Sequence, residues 1–430
     1  MNVLYLHRND LRLHDNEAFT KIPVSATSFL PIFVYDDDLY SRSSFGFSKI
    51  GEPRKHFINE SVLSLKKNYN KIGSDLLIKK GKTLAIVKEL VTQHNIQLML
   101  LQRLAGTDEK TLERQLVNAL EGKCEVVFLD FPLLYKSSNL PFSIGDLPAV
   151  FTAFRHNVEK KASVRREFIT PKQLPIYPPN TLQTPDEIQS QLPEANFKTH
   201  PNAAFKLKGG ENSALQHIEK YLFETEQVAT YKHTRNELIG EAYSSKLSSY
   251  LAVGAVSPVY VYYQLKNFER TVVSNESTYW LYFELLWRDY FQLLMLKHGS
   301  ALFKKQGIQN KKNTYIDSQK NIDAWVEGAT GDAFIDANMR ELAATGFMSN
   351  RGRQNVACYL CKVLKVDWRV GAAYFEQQLI DYDVSSNYGN WQYIAGVGND
   401  PREDRMFNSA KQAAQYDPDH SYRRLWGAED

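Results

Sequence analysis

Two periodicities divide the chain. Over the first 130 residues, short apolar and partly β-branched runs recur at Val3 to Leu6, Phe29 to Tyr35, Asp75 to Ile78, Leu98 to Leu101 and Glu125 to Leu129. Between them lie amphipathic stretches at helical spacing: His56 to Asn68, Thr83 to His94 and Asp108 to Leu120. Strand signals alternating with helix signals predict a parallel, Rossmann-like α/β domain with right-handed crossovers. No GxGxxG follows the first strand, so the usual dinucleotide fingerprint is absent. From Pro171 to Pro201 the chain carries seven of its 16 prolines among polar residues, the composition of a connector. From Glu211 onward helical periodicity takes over, broken by loops rich in Gly, Asn and Asp, and all 6 tryptophans fall there. These patterns predict an α/β domain over 1–130, a connector over 131–205 and an all-α, aromatic-rich domain over 206–430.

Composition narrows the class of protein. A chain of 430 residues exceeds the usual size of one hydrophobic core, so two domains are expected. Its longest apolar runs fall well short of the roughly 20 residues of a membrane span. The start MNVLYLHRNDLRLHDN goes straight into a strand-like run without a signal peptide's apolar stretch, and a soluble, cytoplasmic protein is expected. Three cysteines fit a reducing compartment rather than a disulfide framework. Cys358 and Cys361 form a CxxC without a second ligand pair, on a helical pattern, and read as core residues; no metal site is expected. A net charge of +3 permits nucleic acid without indicating it, so any basic footprint must be local.

Candidate chemistry gathers in the helical half. In STYWLYFELLWRDYF, helical spacing puts Trp280, Glu284, Trp287, Arg288 and Phe291 on one face. That face reads either as an i,i+4 ion pair at a core edge, or as a pocket wall where rings stack on a ligand and charges orient it. Ser244, Ser245, Ser248 and Ser249 stand where a new helix should begin. They read as helix caps, or as a phosphate seat reinforced by Lys246. Asn350, Arg351 and Arg353 flank Gly352, and an arginine there is either solvated or paired with Asp381 or Asp383 of DYDVSSNYGNWQY. A buried Arg/Asp pair is costly unless it performs a task. Together these groups describe a cavity for a large, anionic, aromatic cofactor.

The same stretches carry a family resemblance. YLHRNDLRLHDN, LKGGE, YKHTRN, SSKLSSYLAVGAVSP, ELLWRDYF, TGFMSNRGRQN, DWR and DYDVSSNYGNWQYIAGVGNDPRE resemble the photolyase/cryptochrome family, in its cryptochrome-DASH branch, over nearly the whole chain. The resemblance implies an N-terminal antenna domain and a helical FAD-binding domain. It implies Tyr231, Ser244, Ser245, Lys246, Leu247 and Ser248 around the diphosphate, and Glu284, Arg288, Asn350 and Arg353 lining the flavin cavity. Arg353 is then expected to pair with Asp381, with Asp383 at the polar edge of the ring system and Asn387 facing flavin N5.

The reaction implied is light-driven cleavage of cyclobutane pyrimidine dimers by an electron from excited reduced FAD. Trp287 corresponds to the platform on which the lesion stacks, and Glu284 and Asn350 to the groups that bond the pyrimidine edges. Arg351, Arg402, Arg405 and Lys411 are implied phosphate contacts. Tyr393 stands where classical photolyases have a second tryptophan, and Gln354 where they have a methionine. A more polar pocket grips a flipped dimer less firmly, so the expected substrate is single-stranded or locally unpaired DNA. Trp391 and Trp368 match the proximal and middle members of the family's electron relay; the distal position falls on Tyr315, which must lose a proton when oxidised. The resemblance also implies a methenyltetrahydrofolate antenna, an expectation weakened because its usual glutamate aligns with Leu104, with Glu109 nearby. A monomer is expected. The alternative from another class is a blue-light receptor that signals through flavin photoreduction without repair.

Overall fold

The computed structural model describes residues 1–206, 208–402 and 406–428. Its N-terminal part is a five-stranded sheet, β1 (Asn2–His7), β2 (Ser28–Asp36), β3 (Leu77–Gly81), β4 (Leu98–Gln102) and β5 (Glu125–Leu129), in the order β3-β2-β1-β4-β5. Every pairing is parallel, with Val3 opposite both Phe29 and Leu98. Successive residues of a strand point to opposite faces. Val3 and Tyr5 thus join Phe29 and the helix α1 (Glu52–Lys71) in one core, while Leu4 and Leu6 join α2 (Thr83–Gln93) and α3 (Thr107–Leu120) in another. The strand expected from Asp75 begins at Leu77 instead, because the Asp75 carboxylate accepts from Lys66 Nζ at 2.5 Å and from its neighbour's N–H, and ends the loop there.

The segment 131–205, expected as a connector, is not wholly irregular. It contains α4 (Phe151–Lys161) and α5 (Pro185–Gln191), the latter opened by a Thr184/Glu187 capping box with Pro185 in the first turn, where a missing N–H costs nothing.

The rest of the described chain is helical: α6 (Glu211–Glu219), α7 (Tyr231–Thr234), α8 (Ser248–Val253), α9 (Pro258–Thr271), α10 (Glu276–His298), α11 (Gln319–Glu327), α12 (Ala333–Thr345), α13 (Asn350–Cys358), α14 (Trp368–Gln378), α15 (Val384–Ala395), α16 (Ser409–Tyr416) and α17 (Ser421–Leu425). The long α10 starts at Asn275, whose side chain accepts from the N–H groups of Ser277 and Thr278. It is buried on most of its circumference and serves as the axis of this half. Three helical glycines set how closely its neighbours approach. A Cβ at Gly352 would overlap the Asn338 side chain, one at Gly371 the Trp391 indole, and one at Gly389 the Phe291 ring.

Doubly wound sheets ordinarily bind ligands outside the carboxyl ends of their strands, at the switch in strand order. Here the loop leaving β1 runs into the helical half: Leu11 N–H donates to Val253 O at 3.2 Å, and Arg12 Nη1 to Gly254 O at 2.9 Å. Gly254 sits at φ 68°, and a Cβ there would overlap the Asn9 backbone. Two buried carboxylates bind the seam. Asp15 accepts from Arg165 at 2.5 and 2.9 Å, from Phe168 N–H at 2.8 Å and from Ser257 Oγ at 2.5 Å. Glu211 accepts from the N–H groups of Leu13 and His14 at 3.0 and 2.8 Å, and from Asn68 at 2.7 Å. Among the described residues no helix is long and apolar enough to cross a membrane, and no group of three or more His, Cys, Asp or Glu could hold a metal ion. Cys358 and Cys361 are both buried, and neither is in a disulfide.

Candidate functional site

A cavity of about 750 Å³ opens among α7, α8, α10, α13 and α15, well within the roughly 300–1,000 Å³ of small-molecule sites. A smaller chamber of about 110 Å³ adjoins it, lined by Asn387 and Trp391 together with Arg353, Asp381 and Asp383. The wall brings together most of the residues singled out above. Tyr231, Ser244, Ser245, Lys246, Leu247 and Ser248 form one end. Glu284, Trp287 and Arg288 come from α10; Asn350, Arg351, Arg353 and Gln354 from α13; Tyr393 and Arg402 lie at and beyond α15. Trp368, Tyr315 and Lys411 are not part of this wall. Lys411 is exposed on α16, beside the helix that carries Arg351. Arg405 lies outside the described residues.

Two local expectations fail for identifiable reasons. The serines do not cap α8: Leu247 occupies the cap position and no side chain accepts there, because the backbone turns left-handed at Lys246 (φ 53°) and carries Ser244 and Ser245 away from the helix axis. Glu284 and Arg288 share the face but form no pair. Glu284 takes Arg235 as its partner, while Arg288 Nη1 donates to the Pro132 carbonyl at 2.5 Å. Arg235 was not singled out from the sequence. Its signal was the YKHTRN stretch, which places it four residues after Tyr231, with its guanidinium 5.8 Å from that ring. Trp280 also joins the wall, stacked on Phe283 at 4.9 Å, and Gln292 secures Asp383 by donating at 2.8 Å.

The electrostatics of the two ends differ. Lys246 is 3% exposed, its Nζ lies 3.1 Å from the centre of the Tyr243 ring, and among the described residues it has no hydrogen-bond partner. Burial pushes its pKa well below the usual lysine value. Arg353 Nη2 donates to Asp381 Oδ2 at 2.9 Å, while Asp381 Oδ1 is buried with no partner among the described residues. Behind them Glu341 accepts from Tyr422 at 2.5 Å, and burial pushes its carboxyl up to about 7. Asn387 commits its amide nitrogen to the Ala372 carbonyl at 3.0 Å, which leaves its Oδ1 as the end available to a ligand. At the other end, burial raises the Glu284 carboxyl even against Arg235. Tyr393 stands edge-on to Trp287, 6.1 Å away at 89°, with its hydroxyl accepting from Arg402 at 3.1 Å.

Beyond the chamber, Trp391 packs against Phe375 and Trp325 at 5.0 and 6.2 Å. Trp368 donates its indole N–H to the Lys305 carbonyl at 3.1 Å, and the Lys305 ammonium lies 5.0 Å from the Tyr315 ring centre. All three belong to, or pack on, one apolar cluster. Burial raises the Tyr315 hydroxyl to about 12. Leu104 is buried, with its N–H on Glu113 at 3.1 Å.

An anion-seeking end, an aromatic end and a parallel-sheet domain docked against them suit a large, anionic, aromatic ligand. The sequence profile of the FAD binding domain of DNA photolyase matches residues 280–429, and that of DNA photolyase matches residues 3–176. Cryptochrome DASH of Xenopus laevis is 44% identical over 99% of this chain and 82% of its own length. A Synechocystis cryptochrome crystal structure superposes with a TM-score of 0.94 at 41% identity, covering 99% of this chain and 88% of that one. A class III photolyase from Agrobacterium tumefaciens gives 0.85 at 26% identity, covering 99% and 86%. The chain belongs to the photolyase/cryptochrome family, in the cryptochrome-DASH branch.

FAD fits the residues present. A buried ammonium without a partner is unfavourable unless an anion completes it, and Lys246 faces the cavity beside three serines. The unsatisfied Asp381 Oδ1 adds an acceptor for a ligand N–H.

Proposed function

We propose that this protein is a light-driven enzyme that splits cyclobutane pyrimidine dimers, mainly in single-stranded or locally unpaired DNA. The observation that carries the reading is the joining of the two ends in one cavity: a buried lysine without a hydrogen-bond partner among the described residues where a cofactor diphosphate belongs, and aromatic faces with a half-buried carboxyl where unpaired bases belong. Ser244, Ser245, Lys246, Leu247 and Ser248, with Tyr231, hold the diphosphate; Arg353, Asp381 and Asp383 orient the ring system, and Asn387 presents its amide oxygen to N5. When bound and reduced, FAD supplies the photoexcited electron that opens the cyclobutane ring.

The remaining work belongs to the chain. Trp287 offers a face for stacking, and Glu284 and Asn350 bond the pyrimidine edges. Glu284 offers a carboxyl that burial raises even against Arg235, and its oxygens accept from the pyrimidine N–H. Tyr393 offers less stacking area than an indole and is tied to Arg402, so it compensates duplex opening less fully. Arg351 and Arg402 at the cavity wall, with Lys411 on the nearby α16, meet phosphates; Arg405, expected to do the same, lies outside the described residues. Trp391, Trp368 and Tyr315 carry electrons inward for cofactor reduction. A content of three cysteines agrees with a reducing, cytoplasmic setting.

The test is to illuminate the reduced protein with single- and double-stranded oligonucleotides containing a thymine dimer. Loss of dimer mainly from the single strand is expected; no loss from either removes the repair reading, and equal loss removes the strand preference. In the same assay Trp391→Phe should slow photoreduction of oxidised FAD by at least roughly tenfold and leave repair by chemically reduced enzyme nearly unchanged.

A further inference from the structure

Trp287 is clamped from behind by a residue of the connector. The Phe151 ring lies 3.7 Å from the Trp287 ring, centre to centre, at 6°. Phe151 opens α4, is 5% exposed and is not part of the cavity wall. Phe283 and Tyr290 stand edge-on to Phe151 at 5.1 and 5.7 Å, and Tyr290 and Tyr393 stand edge-on to Trp287 at 5.9 and 6.1 Å. Aromatic pairs free to choose prefer offset or edge-on contacts with centres about 4.5–7 Å apart. A nearly eclipsed stack at 3.7 Å is therefore imposed by the surrounding packing, and an indole held this way cannot rotate.

The clamp has its own anchorage. The chain leading to Phe151 is bound to α10 at successive points: Arg288 on the Pro132 carbonyl, Asp289 on the N–H groups of Leu134 and Tyr135 at 3.0 and 3.1 Å, Lys297 on the Leu147 carbonyl at 2.9 Å and the Tyr290 hydroxyl on the Pro148 carbonyl at 3.0 Å. The helix that presents Trp287 to the cavity thus also fixes the segment that backs it.

We propose that Phe151 is a positioning residue for DNA. It covers one face of Trp287 and immobilises the ring, so that the other face is ready for an unpaired pyrimidine pair without the cost of ordering the indole. The inference rests on the reading of Trp287 as the stacking platform. Phe151 touches neither cofactor nor substrate and acts through Trp287 alone.

The experiment compares FAD-loaded wild type, Phe151→Leu and Phe151→Met for binding of a single-stranded thymine-dimer oligonucleotide and the undamaged oligonucleotide of the same sequence, by fluorescence anisotropy. Both variants are expected to weaken dimer binding about tenfold, the lower end of what one base–aromatic stack contributes, with undamaged-strand affinity and bound-FAD absorbance within twofold of wild type. In a Trp287→Leu background the same substitutions are expected to change dimer affinity by less than twofold, since the ring they position is gone. Undiminished dimer affinity in the variant that folds, equal loss for both oligonucleotides, or an additive effect in the Trp287→Leu background would each overturn the assignment. If wild type itself shows no preference for the dimer, the platform reading fails, and this inference with it.

Discussion

Asp15 and Glu211, at the seam between the sheet domain and the helices, are buried as deeply as Glu341 behind the cavity, yet their surroundings move them in opposite directions. Burial alone pushes a carboxyl up. At the seam this is outweighed by Arg165, Arg12 and Ser257 around Asp15 and by His14 with two backbone N–H groups around Glu211, and both sit below the usual carboxylate value. Among the described residues the Glu341 carboxyl is hydrogen-bonded by Tyr422, with the charges of Lys246 and Arg353 further off, and burial wins. Saturated charge marks the place where the fold is locked. In front of Glu341, the cavity-lining Lys246 Nζ and Asp381 Oδ1 lack hydrogen-bond partners among the described residues, and a ligand is what can complete them.

Removing a locked carboxylate should have the largest effect. Asp15→Ala strips the partner from Arg165, Ser257 and the Phe168 N–H together, and should lower unfolding free energy by about 3–5 kcal/mol in urea titrations at pH 7. Because the Asp15 carboxyl is held low in the folded protein, its contribution is present above the ordinary aspartate range and lost as pH falls through the depressed value. The variant should therefore be relatively less handicapped in acid.

Glu341 should show the reverse slope. Its carboxyl sits at about 7 against an ordinary 4.5, so proton uptake stabilises the fold fully below 4.5, and that contribution is lost as pH rises through 7. Glu341→Gln should flatten stability across this window and gain on wild type at pH 8 by at most about 3 kcal/mol; an unchanged pH profile would break the contrast with the seam.

Lys246→Met gives the smallest change and the sharpest one. Replacing an unpartnered buried ammonium should raise the melting temperature of the FAD-free protein while weakening FAD binding roughly thirtyfold, about 2 kcal/mol of charge-assisted hydrogen bonding. A seam charge would lose on both counts.

The sheet was legible because a strand's neighbours in sequence report its burial directly: the five apolar runs became the five strands within a few residues. The α10 face was legible for the same reason, since Glu284, Trp287 and Arg288 line the cavity through helical spacing alone. Pairings across the chain were not. Glu284 meets Arg235, forty-nine positions away, because α7 packs on α10, which no local period encodes. The serine cap failed at a single left-handed residue, Lys246, where a lysine gives no hint of the turn that a glycine would have given. Phe151 was hidden because it falls within 131–205, which was expected as a connector on the strength of prolines that lie twenty or more residues further on, although its helix packs its aromatic start into the core.

Gly352, Gly371 and Gly389 contribute no chemistry, yet each faces a side chain that a methyl group would strike. The close contacts between the helices around the cavity are defined by what these three positions omit. A saturating mutational scan of this protein should therefore find some of its least tolerant sites where the wild-type side chain is a hydrogen atom. The change from glycine to alanine, ordinarily mild or favourable in a helix, should rank there with loss of a charged cavity residue.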